Sequence, residues 1–478
     1  MQELTCLLIS PPNFYEDDEN IWEQINSNFP PLGLASIAGY VRSKNHTVKI
    51  IDCNIESPSV KSFKTFFEIE IVKKISFIKI IGLTAMTCTI KKAYYIAEIC
   101  KHYYPDSVIV FGGVHPTFVT EEVINNKFVD IVVTGEGELT FEEILCGKDL
   151  DKIKGIVFKK NKDDTYEVVR NESRERITDL DSLPIPAYDL LPVLKYRPAK
   201  GSYKRLPAMS MMTSRGCPGR CTFCSKTLGN KLVYRSAYKI FEEIKYLIDN
   251  YRIKQILFYD DTFTVNRDNV FKLCDILIDN RIDISWTCFA RVDFIDLEML
   301  IKMKKAGCHQ IMYGVENIDE GVLKNINKKI DINKVINATN LTKKVGIECR
   351  LAFMIGNPGD NEEIIKKNIA FINKVDPDLL IVNVTTPFPG TEMFKWAKEK
   401  NLILTYDWDD YNLANPVMRL ENLTADQIKR FYKMMYRAFY FRLGFMLRKI
   451  LKIRTIDDIK ILFSGFISLL SFFKIKRG

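Results

Sequence analysis

Short runs of β-branched and apolar residues alternate with amphipathic helical stretches along most of the chain, and this alternation constrains the fold more than any other feature. It occurs in two series, separated by a region that lacks it. Strands joined by helical segments are typical of parallel sheets with crossover helices. The sequence therefore predicts an α/β protein with two parallel sheets. The predicted strands are Leu4–Ser10, Thr47–Asp52, Ile78–Ala85, Ser107–Phe111 and Asp130–Thr134 in the first series, and 208–213, 255–260, 284–289, 310–315, 349–355 and 379–385 in the second.

The two series define the predicted domains. Residues 1–150 are predicted to form a Rossmann-like domain with a ligand crevice at the carboxyl ends of its strands, because small-residue loops follow the later strands. Residues 151–205 are charged, contain prolines and lack periodicity, which predicts a linker. Residues 206–395 contain six βα units, too few for a closed eight-unit barrel, and predict an open, partial (βα)6 barrel. Residues 396–478 predict a helical, basic C-terminal region.

The net charge of +9 comes from the end of the chain. Residues 428–478 contain 13 Lys and Arg against Asp457 and Asp458, a charge of +11, so the rest of the chain carries −2. Because residues 1–427 are nearly neutral, the charge gives no reason to expect a nucleic-acid partner. The basic region also contains an uncharged apolar run at 461–473, which leaves three interpretations: a helical cap over the barrel mouth, a helix lying on anionic lipid, or a site for an anionic substrate.

The N-terminal residues predict neither a secretory signal nor a membrane span, because Met1–Ser10 has no basic segment and Pro11-Pro12 interrupts its apolar run. No apolar stretch reaches the ~20 residues of a spanning helix. Twelve cysteines without a signal peptide are typical of a reducing cytoplasm, where clustered thiols more often bind metal. We therefore expect a cytoplasmic protein, with peripheral membrane contact through 428–478 as one interpretation.

Three cysteines, Cys217, Cys221 and Cys224, follow the first strand of the second series at C-x-x-x-C-x-x-C spacing. Three thiolates so spaced can ligate three irons of a 4Fe-4S cluster and leave the fourth iron open. The alternatives are chance clustering and a zinc site. Zinc would require a fourth ligand, and no histidine lies within 80 residues of the motif.

The cysteine motif resembles that of the radical S-adenosylmethionine (SAM) enzymes, and the resemblance covers roughly residues 205–395. Short motifs of that family follow the next five predicted strands: Phe258–Phe263, Phe289–Asp293, Gly314–Asn317, Gly356–Asp360 and Pro387–Thr391. The resemblance implies that the open iron binds SAM, whose reductive cleavage yields a 5′-deoxyadenosyl radical. It also implies SAM contacts from Phe223, Asp260, Arg291 and Glu316. Carboxylates can accept hydrogen bonds from an ammonium or ribose hydroxyls, and arginine can hold a carboxylate.

The first domain resembles the cobalamin-binding domain that precedes many radical SAM barrels. Four motifs in order support this: Pro11-Pro12, Pro31–Ala35, Phe111–Thr117 and Asp130–Glu138. The cobalamin contacts that the resemblance implies are Thr84, Thr87, Gly112, Gly113, His115, Pro116, Gly135, Glu136 and Gly137. None of the four histidines stands in the Asp-x-His-x-x-Gly motif of histidine-ligated cobalamin domains. The resemblance therefore implies cobalamin bound without a histidine ligand, and His115 has the alternative role of a hydrogen-bonded turn residue.

Together the two resemblances imply a cobalamin-dependent radical SAM enzyme, in the first instance a C-methyltransferase with methylcobalamin as methyl donor. An oxidative cyclase or ring-rearranging enzyme on the same scaffold is the main alternative. A methylthiotransferase would need a second cluster on Cys6, Cys53 and Cys88, but Cys6 lies within an apolar strand. A non-catalytic cobalamin sensor would not require the intact cysteine motif. The expected partners are a lipophilic or anionic small-molecule substrate and an external electron donor such as flavodoxin or ferredoxin.

Overall fold

The computed structural model describes residues 2–13, 28–57, 59–162 and 165–451. Its first sheet has seven strands in the order β2-β1-β3-β4-β5-β6-β7, and β1 to β5 are parallel. The strands are β1 Gln2–Ser10, β2 Val48–Asp52, β3 Ile75–Thr84, β4 Val108–Gly112, β5 Ile131–Val133, β6 Ile156–Lys162 and β7 Thr165–Arg170. The helices of this part are α1 Leu32–Ser43, α2 Cys53–Glu56, α3 Val60–Phe67, α4 Ile90–Tyr103, α5 Val114–Phe118, α6 Thr120–Asn125 and α7 Glu138–Leu145.

The strand order of the first sheet places its ligand crevice. Leu7, Leu8 and Ile9 of β1 are buried, as expected for a strand covered by helices on both faces. Strand β1 pairs with β2 on one side and with β3 on the other, so the chain order reverses at the β1–β3 pair. In open α/β sheets, ligands bind at the carboxyl ends of the strands beside such a reversal.

The region expected to be a linker contains a β-hairpin that extends the first sheet. Strands β6 and β7 pair antiparallel to each other, and β6 pairs antiparallel to β5. Only Ile156, Val157 and Phe158 of this hairpin are buried. Most of the other hairpin residues are polar or charged and at least partly exposed, and for this reason the sequence did not indicate strands here.

The second sheet is the open, partial barrel that six βα units predict. Its six strands are all parallel and lie in sequence order from β8 to β15. They are β8 Ala208–Met211, β11 Gln255–Phe258, β12 Ser285–Ala290, β13 Cys308–Glu316, β14 Glu348–Ile355 and β15 Leu379–Val384, with a separate antiparallel ribbon of β9 Ser214–Arg215 and β10 Val233–Tyr234. The accompanying helices are α8 Ala237–Tyr251, α9 Arg267–Asp279, α10 Leu297–Lys305, α11 Glu320–Asn325, α12 Ile332–Lys344, α13 Glu362–Val375 and α14 Glu392–Glu399.

Helix α15, Ala425–Tyr440, covers the edge strand β15. The Tyr436 hydroxyl hydrogen-bonds the amide and the carbonyl of Val382, and Tyr440 does the same for Leu380. Two tyrosines thus satisfy backbone groups that an edge strand would otherwise leave open. The helix therefore begins beside the barrel mouth, where Ile428 lies next to Gly356, and then runs along the barrel edge. This course corrects the cap interpretation for residues up to 440, because the helix covers the edge strand and does not extend across the mouth.

Helix α16, Leu443–Leu451, continues from α15 and packs through Phe445 against Phe439 and Tyr440. The apolar run at 461–473 lies outside the described residues. No helix among the described residues is both long enough and apolar enough to cross a membrane.

Candidate active site

The cysteine motif lies between the short strands β9 and β10, just beyond the carboxyl end of β8. Gly216 directly precedes Cys217 and has a φ of +94°. A Cβ at Gly216 would lie 2.4 Å from the Lys231 carbonyl oxygen, so only glycine fits this approach. Cys221 is buried and Cys224 is exposed.

The spacing of the three thiols fits a cluster better than a single ion. Among the residues that the structure describes, Cys217, Cys221 and Cys224 do not form a group whose sulfur atoms all lie within 4.8 Å of one another. The ligands of one tetrahedral zinc ion would lie about 3.5–4 Å apart, given its bond lengths. Thiolates of a 4Fe-4S cluster bind separate irons. The donor set therefore favours the cluster over the zinc alternative.

Backbone hydrogen bonds hold the cysteine loop against the barrel. The Thr222 amide donates to the Ile326 carbonyl at 3.0 Å, and the Met393 amide donates to the Thr222 carbonyl at 2.9 Å. Phe223, predicted to contact SAM, packs against the apolar cluster that includes Ile326 and Met393. In this structure Phe223 anchors the loop, and its contact with SAM stays a prediction.

Asp260, also predicted to contact SAM, is buried and positions the segment before the cysteines. Its Oδ1 accepts hydrogen bonds from the amides of Thr213 and Ser214 at 2.6 and 3.1 Å, and its Oδ2 accepts one from the Thr213 hydroxyl. Burial raises the pKa of Asp260 to about 6, although these hydrogen bonds act in the opposite direction. Both carboxylate oxygens bond to this segment, so the structure gives Asp260 a positioning role, and its contact with SAM stays a prediction. The neighbouring Asp261 lines the cavity described below.

Arg291 and Glu316 lie near the cysteine loop, each with a partner. Arg291 donates to Asp293 at 2.8 Å and to the Lys329 carbonyl at 2.6 Å. Glu316 accepts a hydrogen bond from Lys328 Nζ at 3.1 Å.

Lys328 is buried, and burial lowers the pKa of its ammonium. The charge and hydrogen bond of Glu316, together with the negative charge of a Cys221 thiolate, outweigh burial and leave this pKa raised. Burial raises the pKa of the Cys221 thiol, and the positive charge of Lys328 acts against this increase. The sequence did not indicate Lys328, since it stands in the turn after α11 outside any motif.

A cavity of about 480 Å³ lies between the crevice of the first sheet and the cysteine side of the barrel. Six of the predicted cobalamin contacts line it: Thr84, Gly112, Gly113, Gly135, Glu136 and Gly137. Met212, Thr227 and Asp261 line it from the barrel side. The loops after β4 and β5 present backbone to this space. A Cβ at Gly135 would meet no atom within 4 Å, which leaves room for a ligand there.

The other three predicted cobalamin contacts, Thr87, His115 and Pro116, do not line this cavity. The His115 ring is buried, lies 3.3 Å from the Thr87 hydroxyl and packs edge-on against Trp408. His115 is thus buried and hydrogen-bonded, as in the structural alternative, but it lies in helix α5 and not in a turn. A contact between these three residues and cobalamin stays a prediction.

One buried arginine joins the two halves of the site. Arg215, two residues before Cys217, contacts Glu136 and Glu138 of the first domain at 2.6 Å each. Glu138 also accepts a hydrogen bond from Ser36 at 2.7 Å. Burial raises the pKa of Glu138, but the charge and hydrogen bond of Arg215, together with hydrogen bonds from Ser36 and the backbone, outweigh it, so this pKa lies below its usual value. The sequence indicated Glu136 as a cobalamin contact but not this ion pair.

Comparisons with known proteins agree with this geometry. A profile of the radical SAM superfamily matches residues 211–372, and a profile of the B12 binding domain matches residues 21–145. Over 451 residues the chain is 37% identical to an uncharacterized methyltransferase, PH0819, of Pyrococcus horikoshii, with 92% of this chain and 94% of that protein covered. The chain belongs to this family of radical SAM proteins with a B12-binding domain.

Two further comparisons bear on the reaction and the fold. The enzyme is 26% identical over 454 residues to an anaerobic magnesium-protoporphyrin IX monomethyl ester cyclase of Rubrivivax gelatinosus, with 92% of this chain and 78% of that protein covered. The solved structure of the cobalamin-dependent S-adenosylmethionine radical enzyme OxsB, with aqua-cobalamin and S-adenosylmethionine bound, has a TM-score of 0.72 and 18% identity, covering 98% of this chain and 72% of that one. At this identity the likeness shows the fold.

These findings confirm the prediction of a cobalamin-dependent radical SAM enzyme with a Rossmann-like first domain and a partial barrel. They also confirm the predicted cofactor set of a 4Fe-4S cluster, SAM and cobalamin at the level of the two domains. The relatives are named for different reactions: one is named a methyltransferase and another a cyclase.

Proposed function

We propose that this enzyme is a C-methyltransferase that acts on a carbon without ordinary nucleophilicity. The observation that carries the proposal is the cavity shared by the glycine loops of the first domain and the cysteine side of the barrel. When bound, the cluster and SAM would supply a hydrogen-abstracting radical, and cobalamin would supply the methyl group. A cavity built from both domains would bring these two functions to one substrate.

In this proposal the chain's own residues bind the cofactors and position them. Cys217, Cys221 and Cys224 hold the cluster, and the buried Glu316–Lys328 pair beside Cys221 provides hydrogen-bonding groups for SAM. The loops at 112–113 and 135–137, whose backbone lines the cavity, would hold cobalamin. We keep the predicted domain boundaries 1–150, 151–205, 206–395 and 396–478 with one change: the hairpin up to Arg170 is assigned to the first domain.

Product analysis with methyl-labelled SAM tests the reaction type. The anaerobically reconstituted enzyme, given a strong reductant and candidate substrates, is expected to form 5′-deoxyadenosine and a product that carries the label. The Cys221→Ala variant is the control and is expected to form neither. Label that never reaches a product, together with normal 5′-deoxyadenosine formation, would refute methylation and support the cyclase or ring-rearranging alternative, which the Rubrivivax gelatinosus relative favours.

We propose a lipophilic or anionic small molecule as substrate, with flavodoxin or ferredoxin as electron donor. The apolar cavity residues Leu8, Leu34, Val110, Val133 and Phe141 belong to the first domain, the side that we assign to cobalamin, whereas Met212 and Leu228 line the cavity from the barrel side, where the substrate would bind. Apolar residues on the barrel side suit a lipophilic part of the substrate. Comparing flavodoxin and ferredoxin as reductants in the same assay tests the donor. 5′-Deoxyadenosine formed with neither protein, but with dithionite, would contradict this donor class.

We also propose that α16 contacts an anionic lipid surface. Leu443, Leu447 and Leu451 follow one helix face at four-residue spacing and are 76%, 59% and 76% exposed. Residues 428–451 contain seven Lys and Arg and no Asp or Glu. Exposed leucines beside a basic surface are typical of helices that lie on anionic membranes.

Vesicle co-sedimentation tests this contact. The full chain is expected to sediment with phosphatidylglycerol vesicles and not with phosphatidylcholine vesicles, and the triple variant Leu443→Gln, Leu447→Gln, Leu451→Gln is expected to stay in solution. The matched control is Leu297→Gln with Ile301→Gln, which alters exposed apolar residues on α10. Equal sedimentation of the triple variant and the parent would refute the contact.

A further inference from the structure

A group of three side chains away from the cofactor sites combines the donor types that Zn²⁺ prefers. Cys146 Sγ lies 3.8 Å from His46 Nε2 and 3.1 Å from Glu142 Oε1. All three donor atoms lie within 4.8 Å of one another. Among the described residues, no other group of three or more His, Cys, Asp or Glu side chains has its donor atoms this close.

The distances match the edges of a zinc coordination sphere. With Zn–S of about 2.3 Å and Zn–N of about 2.0–2.1 Å, a tetrahedral site has a sulfur–nitrogen edge of about 3.6 Å. The observed 3.8 Å between Cys146 and His46 is close to that value. The 3.1 Å contact to Glu142 is shorter because the thiol donates a hydrogen bond to the carboxylate. A metal ion would replace that proton, since the ligand is the thiolate.

The backbone holds the three donors in place. Glu142 lies in α7, and Cys146 is the C-cap residue of the same helix. The two are four residues apart, so their side chains lie on one face. Lys79 Nζ donates to the Leu145 carbonyl at 2.7 Å, which fixes this helix end. His46 lies in the turn between α1 and β2, and its amide donates to the Val41 carbonyl at 3.2 Å.

The charge and exposure of the group also suit a divalent ion. A thiolate and a carboxylate together neutralise the two positive charges of Zn²⁺. Cys146 is exposed, so the fourth coordination position is open to water. Three protein ligands of this kind plus a water molecule complete a tetrahedral zinc site.

We propose that His46, Glu142 and Cys146 form a Zn²⁺ site that joins the carboxyl-terminal ends of α1 and α7. The amino-terminal ends of these two helices, at Leu32 and Glu138, line the cavity. The ion thereby connects two helices that flank the cobalamin side of the cavity. This proposal does not depend on the reaction that the enzyme performs.

Zinc counting on the full-length chain tests the site. The protein is reconstituted anaerobically so that the cluster occupies its own cysteines, equilibrated with ZnCl₂ in the low micromolar range, separated from free metal and measured by mass spectrometry. We expect about one zinc per chain, as a single tetrahedral site requires. His46→Ala and Cys146→Ser are expected to lose it, and Glu142→Gln to weaken it at least ~10-fold, because each removes one of three protein ligands.

The controls are His102→Ala and Cys88→Ser, which remove a histidine and a cysteine of the same domain outside the group and are expected to keep the zinc. A second measurement uses the parent chain: zinc is expected to slow alkylation of Cys146 by iodoacetamide at least ~10-fold, since a metal-bound thiolate is shielded. This protection should disappear in His46→Ala. Zinc content unchanged in Cys146→Ser, or alkylation of Cys146 unaffected by zinc, would overturn the proposal.

Discussion

Replacing Arg215 with alanine should be among the most damaging single changes in this enzyme outside the cysteine motif. The guanidinium contacts Glu136 and Glu138 at 2.6 Å each, and the three side chains are 13%, 7% and 5% exposed. Arg215→Ala would leave two buried carboxylates without their main partner. Breaking a buried ion pair in this way costs about 3–5 kcal/mol, so we expect the free energy of unfolding to fall by that amount at neutral pH.

The stability lost in Arg215→Ala should depend on pH, and the direction of that dependence can be predicted. The pKa of Glu138 is lowered in the folded parent, so its ion pair adds stability that is present above the unfolded pKa and is lost as the pH falls through the folded pKa. In Arg215→Ala, burial acts without its counterion and raises the pKa of Glu138. The variant is therefore destabilised most at neutral pH, and its deficit narrows as the pH falls toward about 4–5 and the carboxyl takes up a proton.

Urea denaturation at pH 7.5 and pH 5, followed by tryptophan fluorescence, measures both effects. The matched control is Arg267→Ala, because Arg267 also bridges two carboxylates, Asp296 and Glu298, but on the surface. Exposed pairs contribute about 0–1 kcal/mol. Equal losses in the two variants, or a loss in Arg215→Ala that does not narrow in acid, would refute the reasoning.

Three further changes follow from single observations. Gly113→Ala should weaken cobalamin binding at least ~10-fold in a spectroscopic titration, because Gly113 has a φ of +101° and a Cβ there would lie 2.7 Å from the Thr84 hydroxyl and 2.9 Å from the Ala85 carbonyl. Asp260→Ala should lower the iron content after reconstitution while Asp260→Asn largely keeps it, since the asparagine oxygen can still accept from the Thr213 and Ser214 amides; equal iron in both variants would contradict the positioning role. Tyr436→Phe should lower the free energy of unfolding by about 1–3 kcal/mol in urea, because the Val382 amide and carbonyl lose their partner, and an unchanged midpoint would argue against edge capping.

The sequence predicted the parts of the molecule that repeat or have fixed spacing. The strand positions follow from apolar runs, so the sheets could be placed. The spacing of the cysteine motif predicts the three cluster ligands, and this assignment stays a prediction. The glycines that line the cavity could also be predicted, because loops after parallel strands collect at one edge of the sheet. The hairpin of β6 and β7 could not, since charged residues cover most of it.

Side-chain partners were harder to predict than positions. Asp260 and Glu136 stand at the strand ends where ligand contacts were expected, yet their carboxylates bond to Thr213 and to Arg215. The Arg215–Glu136 pair joins residues 79 positions apart in two domains, and no local pattern encodes such a contact. A charged residue at a strand end therefore indicates a polar environment, but the sequence does not show whether its bonding partner is a ligand or another side chain.

The positions of α15 and α16 reduce the number of possible roles for the basic C-terminal region. Ile428 lies beside Gly356 at the mouth of the barrel, whereas Arg442 and Arg448 pair with Asp376, just before β15 begins. The described basic residues of α16 are thus at the amino ends of the strands, and β14, with 8 residues, spans about 26 Å between the two ends. An anionic substrate at the cysteine loop is out of their reach, which argues against the anion-site interpretation for this helix. If α16 lies on a bilayer, the barrel mouth faces away from that surface, so vesicle binding and acceptance of a lipid substrate should be separable by the leucine variant.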